Sequence, residues 1–407
     1  MTFARSGLRG TPRLEHLAAR AAAAAGIAML LAGTAFAEDF HGFNPETFDG
    51  AMLSADQLKA MVADATAAHK PNDGAGLVIG FANLERDVSF TLKVEKGILA
   101  NAKAAGIDVA VADNHLDGAT ALANAESFLQ RQADYVIEFQ TDANFGATIM
   151  QKMNDAGTKV TAIDIPMPGA TFFGANNPRS GFMGGAYLGQ AALKKFGPDK
   201  TREGFLVIGE LPQSGAIPAM RTGGQVAGFI AAVEGFPADH IIKIDSKNTL
   251  EESFTQMNNV LGRIPAGVPI FVTAINDQSA TGMMRAVKQA GRESDLIVVG
   301  MGADEIQTML DEPSFVASVG YFPERYGNYL VPLALMQLAG KATPDTVLVN
   351  HVIVTKDNVC KYYETFACAN GKDPITFSFP QAAFEAHLAN LRASPDLKGF
   401  ENLIPTH

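Results

Sequence analysis

Cysteine is scarce in this chain of 407 residues, which has only Cys360 and Cys368. A structural zinc site needs four ligands at short spacings, and two cysteines with distant histidines do not supply them. The chain also has no G-x-S-x-G elbow, P-loop, H-E-x-x-H sequence or kinase signature, and GMGADE has too few glycines for a dinucleotide fingerprint. We therefore expect no metal site, no cofactor and no catalytic residue.

Long apolar runs are missing too, apart from one short run near the N-terminus. Four arginines precede the apolar run 21–31, which is followed by Ala35-Phe36-Ala37 and then Glu38. A basic region, a short apolar region and a small-x-small site are typical of a secretory signal peptide, and the run is too short to span a bilayer. We predict a signal peptide over residues 1–37, cleaved after Ala37, and a soluble mature protein outside the cytoplasm. The alternative is an alanine-rich cytosolic helix.

Export affects how the cysteines and the charge are interpreted. In an oxidising compartment we expect Cys360 and Cys368 to form one local disulfide rather than two free thiols. Removing residues 1–37 takes away four of 32 basic and one of 43 acidic residues, which leaves 28 against 42 and a net charge of −14. An acidic surface argues against nucleic acid and anionic lipid as partners.

The clearest structural pattern lies in residues 268–302. The apolar run Phe271–Ile275 is followed by a stretch with helical periodicity and then by the apolar run Leu296–Val299. Apolar runs of this length suit strands that are buried on both faces, so the pattern predicts a βαβ unit. Asn276 and Asp277 follow its first strand, at the place where open α/β sheets bind ligands. An amide and a carboxylate there favour binding over reaction.

The same alternation of strands and helices extends over most of the chain. It begins at Leu77, pauses after KVTAIDIP (residues 159–166) and restarts at about Arg179. A last strand is expected around Val347–Thr355, followed by an irregular tail. Short strands that alternate with helices predict doubly wound parallel sheets, so we expect an α/β protein with two halves of ordinary domain size.

Polar and aromatic side chains occur where these strands end. Asn83, Asp164, Asn276 and Tyr321 each follow an apolar strand, Arg221 begins a helix that follows one, and Phe90 begins the first helix after Leu77. Carboxylates, amides and a guanidinium can bind the hydroxyls of a sugar or polyol, and aromatic rings can cover its apolar face. The alternative for each polar residue is a helix cap or a turn.

Six segments occur in order within residues 77–345, namely FTLKVEKGILANAKAAG, IDIP, FGANNPRSGFMGGAYLG, AINDQSATGMMRAVKQAG, IVVGMG and ASVGYFPERYG. Together they resemble the type I periplasmic solute-binding proteins of ABC importers, in the ribose- and galactose-binding branch. The resemblance implies two doubly wound parallel-sheet domains that are joined by a hinge of three crossings, with the ligand between them.

This resemblance also implies domain bounds. We expect an N-terminal arm with one helix over 38–76, a first lobe over 77–175 plus about 322–345, and a second lobe over 176–321 plus about 346–375. Residues 376–407 form a C-terminal tail. The region beyond about 345 is longer than the core of the family and contains both cysteines.

The ligand-binding positions of the family fall on Phe90, Asp164, Arg221, Asn276 and Tyr321, and Asn83 is a further candidate. Two positions depart from the family pattern. Ile165 stands where a basic residue often follows the carboxylate, and Gly302 stands where an aspartate commonly ends the strand, with Asp304 two residues later. We therefore include Asp304 among the candidates.

The residue patterns and the resemblance together predict a monomeric periplasmic receptor. It would bind a sugar or polyol and deliver it to the membrane permease of an ABC importer. The carboxylate and amides would have hydrogen-bond partners only when the ligand is bound. One alternative is a ligand sensor that docks on a chemoreceptor or kinase, since both roles use the same closed surface. A secreted α/β enzyme is the other alternative, and it would need a nucleophile and a base in the cleft.

Overall fold

The computed structural model describes residues 39–140, 142–371 and 374–405. The predicted signal peptide and its cleavage site after Ala37 lie outside the described residues. Among the residues that are described, no helix is both long enough and apolar enough to cross a membrane.

In the described part of the chain, twelve strands alternate with helices. The strands are β1 (Val78–Asn83), β2 (Asp108–Asp113), β3 (Tyr135–Glu138), β4 (Lys159–Ile163), β5 (Thr171–Ala175), β6 (Phe205–Glu210), β7 (Ile241–Asp245), β8 (Ile270–Ala274), β9 (Leu296–Gly302), β10 (Phe315–Gly320), β11 (Thr346–Val349) and β12 (Val352–Thr355). The α-helices are α1 (Ala55–Ala68), α2 (Ser89–Ala105), α3 (Gly118–Gln130), α4 (Gly146–Ala156), α5 (Asn177–Phe196), α6 (Pro198–Glu203), α7 (Ala216–Ala232), α8 (Leu250–Leu261), α9 (Asp277–Gln289), α10 (Ile306–Asp311), α11 (Tyr326–Leu338) and α12 (Gln381–Arg392).

These strands form two six-stranded sheets, one in each lobe. The first sheet has the order β11-β5-β4-β3-β1-β2 and the second has the order β12-β10-β9-β8-β6-β7. Pairing is parallel throughout except that β12 runs antiparallel to β10. Helices cover both faces of each sheet, which explains why the central strands are apolar along their whole length. The predicted fold class is confirmed.

Local signals positioned many elements correctly. Ser54 and Gln57 form a reciprocal capping box at the start of α1, as the spacing predicted. Helix α2 ends at Gly106, whose left-handed backbone closes the helix, and α4 ends in the same way at Gly157. The βαβ unit of residues 268–302 is present as β8, α9 and β9.

Two predictions about strands were wrong. The stretch Val347–Thr355 is two strands, because the chain leaves the first sheet after β11, turns at Asn350-His351 and enters the second sheet as β12. Residues 346–349 therefore belong to the first sheet, whereas the expected bounds placed them in the second lobe. The first half also continues beyond residues 159–166, since Thr171–Ala175 pairs with β4 as β5.

The chain crosses between the lobes three times, and one histidine contacts all three crossings. The crossings are at Asn176 after β5, at the end of β10, and at His351 between β11 and β12. His351 Nε2 accepts the backbone N–H of Asn176 (3.0 Å), and its Nδ1 donates to the carbonyl oxygen of Gly320 (3.1 Å). The ring can accept one of these hydrogen bonds and donate the other only if the imidazole is neutral. Burial lowers the pKa of His351 to about 3, which keeps it neutral.

The prediction of an irregular C-terminal tail was wrong. The tail contains α12 and connects both lobes. Phe384 and Leu388 of α12 share an apolar cluster with Phe182 of α5 in the second lobe and Phe172 of β5 in the first. Asn402 Nδ2 donates to Thr346 Oγ1 (2.6 Å) at the edge of the first sheet. The sequence signal for this helix was weak, since its apolar face contains few residues. A disulfide joins Cys360 to Cys368 just before this segment.

Replacement of Phe384 tests whether the tail is part of the folded core. Its ring is fully buried and lies 5.2 Å from the rings of Phe182 and Phe379. We expect Phe384→Ala to lower the free energy of unfolding by about 3–5 kcal/mol, because a large buried side chain leaves a cavity. Urea denaturation measures the change. Leu99→Ala, on the exposed surface of α2, is the control, and an equal loss in both variants would contradict the assignment.

Candidate functional site

A cavity of about 50 Å³ lies between the two lobes. Fifteen residues line it, and nine of them are apolar. The six polar residues are Thr91, Asp164, Ser214, Arg221, Asn248 and Asn276. They come from the carboxyl ends of strands, or from helices that follow those ends, as expected for open α/β sheets. Of the predicted residues, Phe90, Asp164, Arg221 and Asn276 line this cavity.

Asp164 follows β4 in an unusual backbone conformation. Its φ is +57°, in the left-handed region that aspartate enters more readily than most residues. The N–H of Ala175 donates to Asp164 Oδ1 (2.9 Å), and a Cβ at position 174 would lie 2.5 Å from the same oxygen, so glycine is required there. Burial raises the pKa of Asp164, while Arg221 and the Ala175 hydrogen bond oppose the rise. Asp164 Oδ2 accepts no hydrogen bond from any described residue.

Arg221 reaches the cavity from α7 of the second lobe. Helix α7 packs closely on α5, since a Cβ at Gly181 would lie only 1.9 Å from the carbonyl oxygen of Arg221. Arg221 Nε donates to Asn177 Oδ1 (3.0 Å), and its Nη1 donates to the carbonyl oxygen of Ile275 (2.7 Å). Within the described ranges, Nη2 has no partner. The guanidinium is thus held in place with one nitrogen available.

Tyr321 lies beneath Arg221 and does not line the cavity. The guanidinium carbon is 4.8 Å from the centre of the Tyr321 ring, and the Tyr321 hydroxyl donates to Ser180 Oγ (2.7 Å). Phe90 packs edge-on against Tyr321, with ring centres 6.1 Å apart. Tyr321 therefore supports Arg221 and Phe90, which do line the cavity.

Asn276 lines the cavity, but both ends of its amide already have protein partners. Its Oδ1 accepts the backbone N–H of Ser279 (2.7 Å) and caps α9, while its Nδ2 donates to Asn248 Oδ1 (2.8 Å). The expectation that Asn276 would find partners only with ligand present is wrong. The helix cap that we considered as the alternative is its observed role.

The structure does not bring Asn83 into the cavity. Its Nδ2 donates to Glu95 Oε2 (2.8 Å), and the residue is fully buried between β1 and α2. It joins the strand to the helix that carries Phe90.

Asp304 connects the lobes near the cavity without lining it. Its Oδ2 accepts the hydroxyl of Ser89 (2.6 Å), and its carbonyl oxygen accepts Lys93 Nζ, both from α2 of the first lobe. Burial raises the pKa of Asp304 well above its usual range, and the neighbouring Asp277 carboxylate adds to the rise. Its Oδ1 is buried without a hydrogen-bond partner among the described residues and would lie 2.2 Å from a Cβ at position 302. The Asp304 carboxyl group thus fills the space beside Gly302, although it does not line the cavity.

Ser214 and Asn248 are cavity residues that the sequence reading missed. Ser214 follows β6 in a short helical turn, and its Oγ is buried without a hydrogen-bond partner among the described residues. Asn248 follows β7 with a φ of +63°. Both residues follow an apolar strand closely, which is the pattern that predicted Asp164 and Asn276. The prediction used this pattern at only some of the strands.

One cluster outside the cavity has the composition of a metal site. The side chains of Glu85, Asp113 and His115 bring ligand atoms within 4.8 Å of one another. Two of the potential ligand contacts are already used, since Asp113 accepts the backbone N–H groups of Arg86 (3.3 Å) and His115 (2.9 Å). Exposed carboxylates commonly cluster without an ion, so we assign no metal here.

Replacement of Asn276 distinguishes a cap from a free ligand-binding group. Without ligand, Asn276→Ala should lower the free energy of unfolding by about 0.5–2 kcal/mol, because α9 loses its N-cap. The measurement is urea denaturation of the empty protein. Asn258→Ala, which removes an exposed amide from α8, should have almost no effect. A loss in Asn276→Ala no larger than in this control would show that the cap contributes nothing.

Comparison with known proteins places this architecture in a family. Residues 79–342 match the model of the periplasmic binding protein domain. The ribose import binding protein of Bacillus subtilis (strain 168) is 25% identical over 63% of this chain and 80% of its own length.

Two solved structures share the fold. A solute-binding protein of an ABC transporter from Bacillus halodurans C-125, with bound myo-inositol, has a TM-score of 0.59 at 22% identity and is aligned over 71% of this chain and 98% of its own. One from Agrobacterium vitis, with bound α-D-tagatopyranose, has a TM-score of 0.61 at 18% identity over 72% and 99%. This chain has two lobes, joined by three crossings, and a cavity between them, and it belongs to the periplasmic binding protein family.

Proposed function

We propose that the protein captures a small hydroxylated solute, a sugar or a polyol, and delivers it to the membrane permease of an ABC importer. The observation that carries the proposal is the pair of side chains that meet in the cavity from opposite lobes. Asp164 of the first lobe offers Oδ2 as an acceptor, and Arg221 of the second lobe offers Nη2 as a donor. A hydroxyl can accept from one and donate to the other, which joins the lobes through the ligand.

The cavity lining supports a small organic solute. Polar atoms without partners would be costly once buried, so a ligand that pairs them is strongly favoured over one that cannot. The named ligands of similar proteins, namely ribose, myo-inositol and tagatopyranose, are of this chemical class. No histidine lines the cavity within the described ranges, which leaves a role in binding better supported than a role in catalysis.

Ligand exchange requires the lobes to separate. In the described conformation they are joined at the cleft by the Ser89–Asp304 hydrogen bond and by donation from the Ser89 N–H to Gln278 Oε1 (3.3 Å). We infer that these contacts break when the cleft opens and re-form around the bound solute, by hinge closure of the kind general to periplasmic binding proteins. The closed surface, formed by both lobes together, is what the permease would bind.

The location and state of the mature protein are part of the same proposal. We propose export to the periplasm with cleavage after Ala37, followed by function as a monomer. Intact-mass analysis of the exported protein reports the cleavage position, and a retained Met1 would contradict it.

A solute panel tests the proposed function. Sugars and polyols, including ribose, myo-inositol and tagatose, are screened by thermal shift, because a ligand that binds only the folded state raises the apparent melting temperature. We expect at least one member to do so. A panel without any shift, confirmed by titration calorimetry, would contradict the proposal.

Variants then test the cavity. For the solute that binds, Asp164→Ala should weaken affinity roughly five- to 150-fold, because it removes a hydrogen bond to a charged, buried acceptor. The matched control is Asp87→Ala, which removes an exposed carboxylate beside the cleft and the same unit of charge. Equal affinity of both variants and the unchanged protein would contradict binding in this cavity.

A further inference from the structure

The interlobe cavity offers few hydrogen-bond acceptors without partners to the hydroxyls of a sugar. We propose, resting on the sugar- or polyol-binding function, that the preferred solute is neutral and only partly hydroxylated, as in a deoxy sugar whose methyl group lies against an apolar wall. Four observations on the lining residues carry this inference.

The first observation is the composition of the cavity wall. Nine of the fifteen lining residues are apolar, and they come from both lobes. Leu84, Val88 and Phe139 belong to the first lobe, whereas Leu211, Pro218 and Met301 belong to the second. Apolar side chains therefore face the ligand from both lobes. A sugar whose apolar surface is a single ring face would cover only one of these two walls.

The second observation concerns how many polar atoms remain available. Both ends of the Asn276 amide are used, and Thr91 Oγ1 donates to the carbonyl oxygen of Val88 (3.0 Å). Asn248 Oδ1 already accepts from Asn276, and Arg221 Nε and Nη1 each already donate one hydrogen bond.

Four polar groups in the cavity then lack partners among the described residues. They are Asp164 Oδ2, Arg221 Nη2, Ser214 Oγ and Asn248 Nδ2. Of these four groups only Asp164 Oδ2 and Ser214 Oγ can accept, and together they have four lone pairs, whereas the five hydroxyls of a hexopyranose donate five hydrogens. At least one sugar hydroxyl would then find no acceptor among these groups. An analogue with one hydroxyl fewer avoids part of that cost.

The third observation is Ile165, next to Asp164. Its side chain lines the cavity and is only 3% exposed. A basic residue at this position would have offered hydrogen-bond donors beside the carboxylate, and isoleucine offers none. We therefore place the apolar part of the solute against Ile165.

The fourth observation is the charge balance of the cavity. Asp164 is the only acidic residue and Arg221 the only basic residue among the fifteen that line it. Their opposite charges offset each other, so a charged solute would leave one charge uncompensated in a buried place. Sugar acids and amino sugars are therefore disfavoured relative to neutral solutes.

Matched sugar pairs test this inference directly. Each pair differs by one hydroxyl: L-rhamnose against L-mannose, L-fucose against L-galactose, 6-deoxy-D-glucose against D-glucose, and 5-deoxy-D-ribose against D-ribose. Titration calorimetry on the full mature chain measures the affinities. We expect at least one deoxy member to bind about tenfold or more tightly than its parent, since the parent buries an unpaired hydroxyl.

The outcomes separate this inference from the proposed function. If fully hydroxylated sugars bind as tightly as their deoxy partners, or more tightly, the inference is overturned while the receptor function stands. The same holds if only polyols or parent sugars bind. If no sugar or polyol binds, the proposed function is overturned and the inference with it.

A variant localises the effect to Ile165. Ile165→Gln adds an amide to the apolar wall, so the ratio of deoxy to parent affinity should fall by about tenfold. Leu99→Gln, on the exposed surface of α2, is the control and should leave the ratio unchanged. If the ratio of deoxy to parent affinity is unchanged in a folded Ile165→Gln variant, the apolar part of the solute does not lie against Ile165. The comparison in the unchanged protein decides the inference even if this variant does not fold.

Discussion

The neutral imidazole of His351 is the interaction on which the arrangement of the two lobes depends. It lies on the third crossing, accepts the N–H of Asn176 on the first crossing and donates to the carbonyl oxygen of Gly320 at the second. Burial lowers its pKa, and the positive charges of Arg221 and Arg179 lower it further. A protonated ring would have no acceptor for the Asn176 N–H, so the contact between the first and third crossings requires the neutral histidine.

The interlobe cavity lies directly beside these crossings. The His351 and Tyr321 rings lie 4.3 Å apart, and Tyr321 supports the Arg221 guanidinium. Asn177, at the start of α5, accepts from Arg221, and Ala175, at the end of β5, donates to Asp164. The two charged groups that would bind the solute are thus fixed by residues at the crossings. A solute that contacts both groups would therefore bind beside the crossings, where the proposed closure of the lobes would take place.

Much of the fold followed from the sequence because buried parallel strands have a strong and local pattern. Glycine stops and capping residues gave the ends of helices such as α1, α2 and α4. The prediction failed where long-range pairing decides the outcome. Nothing local in residues 346–355 indicates that two short strands belong to different sheets, and α12 is defined by its contacts with both lobes.

The cavity was only partly predictable, because a polar residue after a strand can either cap a helix or face the ligand. Asn276 turned out to be a cap, and Asp304 joins the lobes, although both fit the same pattern as Asp164. A crystal structure of the protein with its solute tests the central claim most directly. The account predicts solute density between Asp164 Oδ2 and Arg221 Nη2, within hydrogen-bond distance of both. Density that contacts only one lobe, or that lies outside the cavity, would contradict it.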